Sequence, residues 1–209
     1  MRVPRVIKAA AIGYGLGLLP SADIAARLAS RGKVKPIDLR REGSGNPGGL
    51  NALNVLGSKF GYAVMVGDIG KGAAASVIGR IVAGSAGSHI AATMTVVGHC
   101  FPVNKRFKGG KGVGASVGQC LATFPAYFPV DLAVAALAAA NPTAKHRAYE
   151  ATAVSSAFWV VGGVVWWRKK LPNLWGPKPT VMLPLANAAS SAVILYKFAT
   201  ARKPMPTTR

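Results

Sequence analysis

The sequence predicts an all-α integral membrane protein, and two observations support that fold class. Of the 209 residues, 51% are apolar and the mean hydropathy is +0.32, although only 8% are aromatic. Alanine, glycine and valine dominate long apolar segments, which suits helices that pack closely within a bilayer. The length is that of one domain, so residues 1–209 are expected to form a single membrane domain.

Seven apolar segments predict about seven transmembrane or half-spanning helices. They cover residues 6–28, 60–83, 88–103, 112–124, 126–140, 151–167 and 181–199. A spanning helix needs about 20 apolar residues, so the stretch 112–140 is too long for one span. Because Pro125 and Pro129 interrupt that stretch, we expect two short helices that meet at a turn. The polar segment 29–59 contains a glycine cluster and is expected to be a loop.

The net charge of +20 indicates anionic partners, which are either nucleic acid or anionic lipid. The basic residues lie between apolar spans, and no aromatic residues are interleaved with them as a nucleic-acid surface would require. The prediction is therefore an anionic lipid membrane and no nucleic acid. An outside N-terminus places roughly twice as many basic residues inside as outside, which makes the glycine-rich loops cytoplasmic. The run Arg168-Lys169-Lys170 is the exception to this bias.

The most informative segment is the glycine-lysine run at residues 105–114, where four cations and four glycines occur within ten residues. Glycine lets backbone N–H groups converge on a ligand, and lysine supplies a mobile positive charge. A nest of backbone N–H groups with cations beside it is a means of holding a phosphate. The spacing around Lys111 is not that of a nucleotide-binding P-loop, because Gly112 stands where such a loop needs serine or threonine.

A second glycine cluster at residues 43–48 matches G-x-G-x-x-G, yet its surroundings exclude a dinucleotide fold. No buried strand precedes it, and no alternation of strands and helices surrounds it. A flexible turn is one interpretation of the cluster. The other is an oxyanion site, because polar side chains lie among the glycines and two arginines precede them.

Three further groups carry possible chemistry. His99 is the histidine nearest the glycine loops and could act as a general base, bind a phosphate or cap a helix end. Asp68 and Lys71 share one face of the second span and form either a structural ion pair or a substrate-proximal pair. Only six acidic residues are present, and no motif indicates a serine-histidine-aspartate catalytic triad. Cys100 and Cys120 lie in apolar context, so neither a metal site nor a cofactor is expected.

These motifs together resemble the bacterial acyl-phosphate:glycerol-3-phosphate acyltransferase family, also called PlsY. The family pattern G-S-G-N-x-G-x-x-N is matched at residues 43–51, and D-x-x-K-G is matched at 68–72. The pattern G-H-x-F-P-V followed by F-K-G-G-K-G-V is matched at 98–103 and 107–113. The three motifs occur in the family's order on corresponding spans, and the clear match covers residues 37–114.

The resemblance implies an enzyme that transfers an acyl chain from acyl phosphate to the 1-hydroxyl of glycerol 3-phosphate. The products would be lysophosphatidic acid and inorganic phosphate, formed without a protein nucleophile, cofactor or metal. Its location would be the bacterial inner membrane, with several spans and cytoplasmic site loops. Acyl phosphate is already an activated anhydride, so the protein need only hold two phosphates, orient the hydroxyl and neutralise charge.

The site predicted in this way has two sets of residues. The catalytic residues would be Ser44, His99, Lys108 and Lys111. The substrate-binding residues would be Arg40, Gly43, Gly45, Asn46, Gly48, Asn51, Asp68, Lys71, Gly109, Gly110 and Gly112. The prediction requires residues 43–49 and 107–114 to lie together on one side of the membrane. Two alternatives stay open, which are a non-catalytic relative that binds phospholipid precursors and a transporter for a phosphorylated metabolite, although no inverted repeat is visible.

Overall fold

A computed structural model describes residues 3–32 and 34–201, and all regular secondary structure in those ranges is helical. The helices are α1 (Val3–Gly17), α2 (Ser21–Ala29), α3 (Gly49–Leu56), α4 (Ser58–Cys100), α5 (Val113–Thr123), α6 (Phe128–Ala139), α7 (Arg147–Lys169) and α8 (Met182–Ala199). A 3-10 turn at Val103–Lys105 lies between α4 and α5. Four stretches within the described residues are long and apolar enough to cross a membrane. The all-α membrane fold is therefore confirmed.

Helix α4 contains two antiparallel limbs joined by a sharp turn. Ala83 and Gly84 have non-helical backbone angles, and Gly84 has a φ of +68°, which glycine adopts without strain. The limbs correspond to the predicted segments 60–83 and 88–103. Helix α1 packs along both limbs, and a Cβ at Gly13 or Gly17 would collide with the α4 backbone. Small residues thus set the close approach of these helices, as expected within a membrane.

The first apolar segment, predicted at residues 6–28, is two helices rather than one. Helix α1 ends at Gly17 and α2 begins at Ser21, with Pro20 immediately before it. Proline lacks the backbone N–H that a continuous helix would use and fits best at a helix start. The break leaves the Leu19 carbonyl able to accept a hydrogen bond from the side chain of Lys71 on α4.

The prediction of a loop over the whole of residues 29–59 is wrong at its end, because α3 occupies Gly49–Leu56. This helix has only eight residues, so its intrinsic stability is low and packing must stabilise it. Ala52 is fully buried in a cluster with Leu39, Val64 and the alanines of α2. Tertiary contacts that the sequence does not display therefore decide this element.

The two predicted short helices between residues 112 and 140 are confirmed as α5 and α6. The turn between them contains Phe124 and Tyr127, whose rings stack with their centroids 5.0 Å apart. Trp166 of α7 meets the Phe124 ring edge-on at 5.3 Å. Helix α6 packs against α7, and the Ser155 hydroxyl donates a hydrogen bond of 2.6 Å to Asp131.

The helix ends sort onto two faces of the bundle. On one, here called the site face, α1 and α4 end and α5 begins, and the Tyr149 and Phe198 rings bring the start of α7 beside the end of α8. On the opposite face, the Trp175 indole donates to the Leu121 carbonyl, and Arg80 donates to the Trp175 carbonyl. Both glycine-rich segments consequently lie at the site face.

Candidate functional site

A small polar cavity of about 30 Å³ lies at the site face. It is bounded by the α1–α2 break, by α4, and by the two glycine-rich segments, here called the first loop (residues 38–48) and the second loop (residues 101–112). Its charged and titratable lining residues are Asp23, Arg40, Asp68, Lys71, His99 and Lys105, with Pro47, Gly109 and Gly110 adding backbone. A water molecule needs about 10–15 Å³ of such space, so the cavity admits about two water molecules.

A buried ion pair forms the floor of the cavity. The Lys71 ammonium lies 2.8 Å from Asp68 Oδ1, and the two side chains are 3% and 6% exposed. Lys71 also donates to the carbonyl of Leu19, at 3.3 Å, in the α1–α2 break. A buried charge is stable only when it is paired and hydrogen-bonded, and both conditions are met here. The helix break therefore supplies a ligand for an ammonium group inside the protein.

His99 joins this pair to the second loop. Its Nδ1 lies 3.6 Å from Asp68 Oδ1, and its carbonyl accepts a hydrogen bond of 3.1 Å from the N–H of Gly110. A Cβ at Gly110 would collide with His99 Nε2, and one at Gly109 would collide with the His99 carbonyl oxygen. The second loop can lie directly on the imidazole only because both residues are glycine.

The second loop ends where α5 begins, and Gly112 makes that transition. Gly112 caps the helix with a φ of +88°, a conformation that residues with a side chain rarely adopt. A Cβ there would lie 2.7 Å from the Cys100 Sγ. Gly112 therefore shapes the backbone of the loop and does not line the cavity.

The first loop is shaped by Asn51, which lies on α3 and is 3% exposed. Its amide nitrogen donates 3.0 Å hydrogen bonds to the carbonyls of Leu39 and Glu42. Its amide oxygen accepts a 2.8 Å bond from the N–H of Ser44. Gly43 makes the turn between these partners with a φ of +58°. One side chain thus fixes the loop backbone at three points.

The two loops touch each other. Arg40 Nε of the first loop donates a 3.1 Å hydrogen bond to the Lys108 carbonyl of the second loop. A Cβ at Gly110 would lie 3.1 Å from the Pro47 carbonyl oxygen. The structure therefore brings the loops together on one face, as the predicted site requires.

The predicted site residues divide into two groups by position. Arg40, Asp68, Lys71, His99, Gly109 and Gly110 line the cavity. The other predicted residues lie in or beside the loops and do not line the cavity. They are Gly43, Ser44, Gly45, Asn46, Gly48, Asn51, Lys108, Lys111 and Gly112. Ser44 and Lys108 are exposed at the surface. The roles assigned to both groups stay predictions.

Lys111 lies away from the cavity, over the ring of Phe198 near the end of α8. Its ammonium is 4.2 Å from the ring centroid, a distance at which a cation and an aromatic face attract. Partial burial lowers the pKa of Lys111 below the usual lysine value. Its ammonium group therefore loses its proton at a lower pH than that of an exposed lysine.

Two charged residues of the cavity were not predicted as site residues, namely Asp23 and Lys105. Asp23 Oδ1 lies 2.5 Å from Arg40 Nη1, and Asp23 Oδ2 lies 3.0 Å from Lys105 Nζ. Asp23 is the only acidic residue in the first apolar segment, and ionisable residues within membrane segments are usually functional. That signal was available in the sequence, whereas the pairing with two distant loops was not.

Within the described residues, no group of three or more histidine, cysteine, aspartate or glutamate side chains is arranged to hold a metal ion. The charged groups of the cavity instead form a mixed site with an excess of cations. Such an arrangement can bind and orient an oxyanion.

The fold and the site together define a helical membrane protein with a cation-rich cavity between two glycine-rich loops. The chain belongs to the glycerol-3-phosphate acyltransferase family, because the sequence profile of that family matches residues 7–203. The recognised resemblance is thereby confirmed.

Individual relatives support the same assignment. The chain is 43% identical over 121 residues to the glycerol-3-phosphate acyltransferase of Exiguobacterium sibiricum, which covers 58% of this chain and 56% of that protein. It is 39% identical over 123 residues to the Bacillus subtilis enzyme of the same name, covering 59% and 61%. The chain thus aligns with less than two thirds of the length of either relative.

The structural likeness extends along almost the whole chain. The crystal structure of PlsY (YgiH), an integral membrane glycerol 3-phosphate acyltransferase in its glycerol 3-phosphate form, matches with a TM-score of 0.71. The two proteins are 25% identical, and the match covers 95% of this chain and 94% of that one. The fold of that structure therefore extends over nearly all of this chain.

Proposed function

We propose that this protein is a membrane glycerol-3-phosphate acyltransferase that uses acyl phosphate and forms lysophosphatidic acid for phospholipid synthesis. The observation that carries the proposal is the contact of two glycine-rich loops around a cavity lined by Arg40, Lys71 and Lys105. Membership of the family and the form of the matched crystal structure support the acceptor as glycerol 3-phosphate.

The reaction transfers the acyl group in one displacement. The 1-hydroxyl oxygen of glycerol 3-phosphate bonds to the acyl carbonyl carbon, and the bond from that carbon to the phosphate oxygen breaks. The phosphate leaves with the bonding electrons and receives the hydroxyl proton by way of His99, so that it departs as hydrogen phosphate. His99 accepts the hydroxyl proton at Nε2, because Asp68 lies beside Nδ1 and favours a proton there. The donor is already activated, so no enzyme-derived nucleophile is required.

The remaining site residues orient the substrates and neutralise charge. Arg40, Asp68 and Lys71 surround the acceptor phosphate, while Gly109 and Gly110 let the backbone approach it. The exposed Lys108 and the half-buried Lys111 neutralise the acyl phosphate as it enters from the membrane surface. The first-loop residues complete the substrate-binding surface with Ser44 as a hydroxyl donor. They are Gly43, Ser44, Gly45, Asn46 and Gly48, and the buried Asn51 of α3 holds their backbone in place.

The proposed location is the bacterial inner membrane, with the site face toward the cytoplasm. The site face carries a cluster of basic residues, as the positive-inside rule predicts for a cytoplasmic surface. They are Lys105, Lys108, Lys111, Lys145 and Arg147. Anionic lipid headgroups would meet these cations. The relatives that carry the family's activity are bacterial proteins.

The test is phosphate release by the purified protein in lipid nanodiscs with palmitoyl phosphate, measured with and without glycerol 3-phosphate. We expect release that depends on the acceptor and an equal yield of lysophosphatidic acid. Arg40→Gln should lower the rate at least about 100-fold, since it removes a positioned cation from the cavity.

The matched control for that variant is Arg41→Gln. Arg41 is the adjacent residue, its side chain is 86% exposed, and it does not line the cavity. Its substitution should leave the rate within about twofold, as is usual for an exposed surface position. Binding of both substrates without acyl transfer would contradict the proposal and favour a non-catalytic relative.

A further inference from the structure

The Asp23 carboxylate lies where three segments that are distant in the sequence meet. Asp23 belongs to the first turn of α2, Arg40 to the first loop, and Lys105 to the 3-10 turn of the second loop. Its two oxygens divide between the two cations, at 2.5 Å from Arg40 and 3.0 Å from Lys105. The carboxylate is therefore the shared counter-ion of both loops.

Every neighbour of this carboxylate favours a negative charge. Arg40 and Lys105 are cations, and the first turn of a helix carries a partial positive charge from its unpaired N–H groups. The same combination binds the phosphate groups of ligands. In this state of the protein, the Asp23 carboxylate thus occupies a place suited to a phosphate oxygen.

The charge of the cavity indicates that this contact opens when a phosphate binds. The cavity has a volume of about 30 Å³ and is open to solvent on one side, so a phosphate can approach its charged lining. Three cations and two carboxylates line the cavity, leaving one net positive charge. A phosphate monoester brings about two negative charges at neutral pH, so the resting site is insufficiently positive to neutralise it.

Lys105 is the partner that can leave most easily. Its side chain is 35% exposed and lies on a three-residue 3-10 turn. Arg40 is 24% exposed, approaches Asp23 more closely and is also held by the Lys108 carbonyl. Opening the Lys105 contact would enlarge the cavity and release one positive charge without displacing Arg40.

We infer that Asp23 is a positioning residue that acts as an internal counter-anion. It keeps Arg40 oriented, and its contact with Lys105 is replaced by a contact between Lys105 and the acceptor phosphate when substrate binds. This inference rests on the proposed function, because it assigns the acceptor phosphate to this place. Competition between the carboxylate and the phosphate for Lys105 then limits the affinity of the site for phosphate monoesters.

The experiment is calorimetric titration of the full-length protein in nanodiscs with glycerol 3-phosphate, and with inorganic phosphate as a second probe. Asp23→Asn should lower the Kd for both roughly fivefold, since Lys105 no longer has a competing anion. Asp23→Glu retains the charge and should stay within about twofold of the unmodified protein. Weaker binding by Asp23→Asn would overturn the inference.

The matched control is Glu42→Gln, which removes the same charge from an exposed position of the first loop. It should leave the Kd unchanged within about twofold. Tightening equal to that of Asp23→Asn would mean that net charge alone governs affinity, and the inference would be wrong.

A double-mutant cycle identifies Lys105 as the group for which the two anions compete. In a Lys105→Gln background, Asp23→Asn should no longer tighten binding, because the competing cation is absent. Tightening that persists in that background would contradict the mechanism. If Asp23→Asn does not fold, the test is Lys105→Gln alone, which should weaken glycerol 3-phosphate binding roughly fivefold. Unchanged binding by Lys105→Gln would then contradict the inference.

Binding and turnover are read separately, which distinguishes this inference from the proposed function. Tighter binding by Asp23→Asn in a protein that never transfers an acyl group would support the inference and contradict the acyltransferase proposal. Acyl transfer with unchanged affinity in Asp23→Asn would do the opposite.

Discussion

The two glycine loops reach a common cavity by different physical means. The first loop is shaped by a side chain, because the Asn51 amide bonds to three backbone groups within it. The second loop is shaped by the absence of side chains, because Gly109 and Gly110 lie directly against His99. Glycine-rich sequence is therefore no guide to how a loop is held, and the two loops should fail in different ways.

The largest effect is expected from Gly110→Ala in the second loop. The added methyl group would collide with the His99 imidazole and press on the Pro47 carbonyl, so the two loops would separate. A displacement of about 1 Å at a reacting group can cost 100-fold in rate, and we expect a loss of at least that size in acyl transfer. The measurement is acceptor-dependent phosphate release.

The control for that substitution is Gly70→Ala in α4. Nothing lies within 4 Å of a Cβ at Gly70, and alanine favours a helix by up to about 1 kcal/mol over glycine. This variant should retain full activity and melt no earlier than the unmodified protein. Full activity in Gly110→Ala would show that the close approach of the second loop to His99 is not required.

The next effect is expected from Asn51→Ala in the first loop. The N–H of Ser44 and the carbonyls of Leu39 and Glu42 would each lose a partner, at a cost of about 1–3 kcal/mol in the free energy of unfolding. In Asn51→Ala, activity and melting temperature should both fall. In Gly110→Ala, by contrast, activity should fall strongly while the melting temperature changes less.

Asn54→Ala is the matched control on the same helix, since Asn54 is exposed. Its effect on the free energy of unfolding should stay within about 0.5 kcal/mol. Equal melting temperatures for the Asn51 and Asn54 variants would contradict the role of Asn51 in holding the first loop.

A smaller effect concerns the cation at the end of the second loop. Burial lowers the pKa of Lys111, so its ammonium form is lost as pH rises through a value below that of a normal lysine. Activity that needs this charge should decline on the alkaline side. Lys111→Arg keeps the charge at all accessible pH values, so its alkaline decline should begin at a higher pH.

The measurement is the pH profile of kcat/KM for both proteins between neutral and strongly alkaline pH. Lys59→Arg is the control, because Lys59 is exposed at the start of α4. Its profile should coincide with that of the unmodified protein. If the profile of Lys111→Arg also coincides with that of the unmodified protein, the reaction does not require the charge of Lys111.

The smallest effect is expected where the second loop is tied to α1. The Tyr14 hydroxyl donates a 2.8 Å bond to the Phe101 carbonyl and accepts a 3.2 Å bond from the Val103 N–H. Tyr14→Phe should cost about 1 kcal/mol in the free energy of unfolding. Because the glycine contacts remain, activity should change less than twofold, and a loss as large as that of Gly110→Ala would contradict the distinction between the loops.

Sequence reasoning predicted the spans well where hydropathy decides the structure. The turn at Ala83 and Gly84 and the pair α5 and α6 follow from segment length and proline positions. It missed α3, because eight residues carry too little periodicity and packing stabilises that helix. It also treated residues 6–28 as one apolar segment, which the structure divides at Pro20 into α1 and α2.

Within the site, the motifs located both loops but not all of their neighbours. Arg40, Lys71 and His99 were predicted from local patterns, and the structure places all three at the cavity. Asp23 and Lys105 were missed as a pair, because a contact between residues 82 positions apart leaves no local pattern in one sequence. Pairings of this kind follow from the fold and not from spacing.

The break between α1 and α2 has a consequence for where the chemistry takes place. An uninterrupted helix would commit the Leu19 oxygen to its own backbone ladder, and Lys71 would lose a ligand deep in the protein. Irregular backbone at such depth is tolerated only where other parts of the protein enclose it. The interrupted helix thereby places a backbone oxygen where it solvates a buried ammonium group, within a part of the chain that is otherwise apolar.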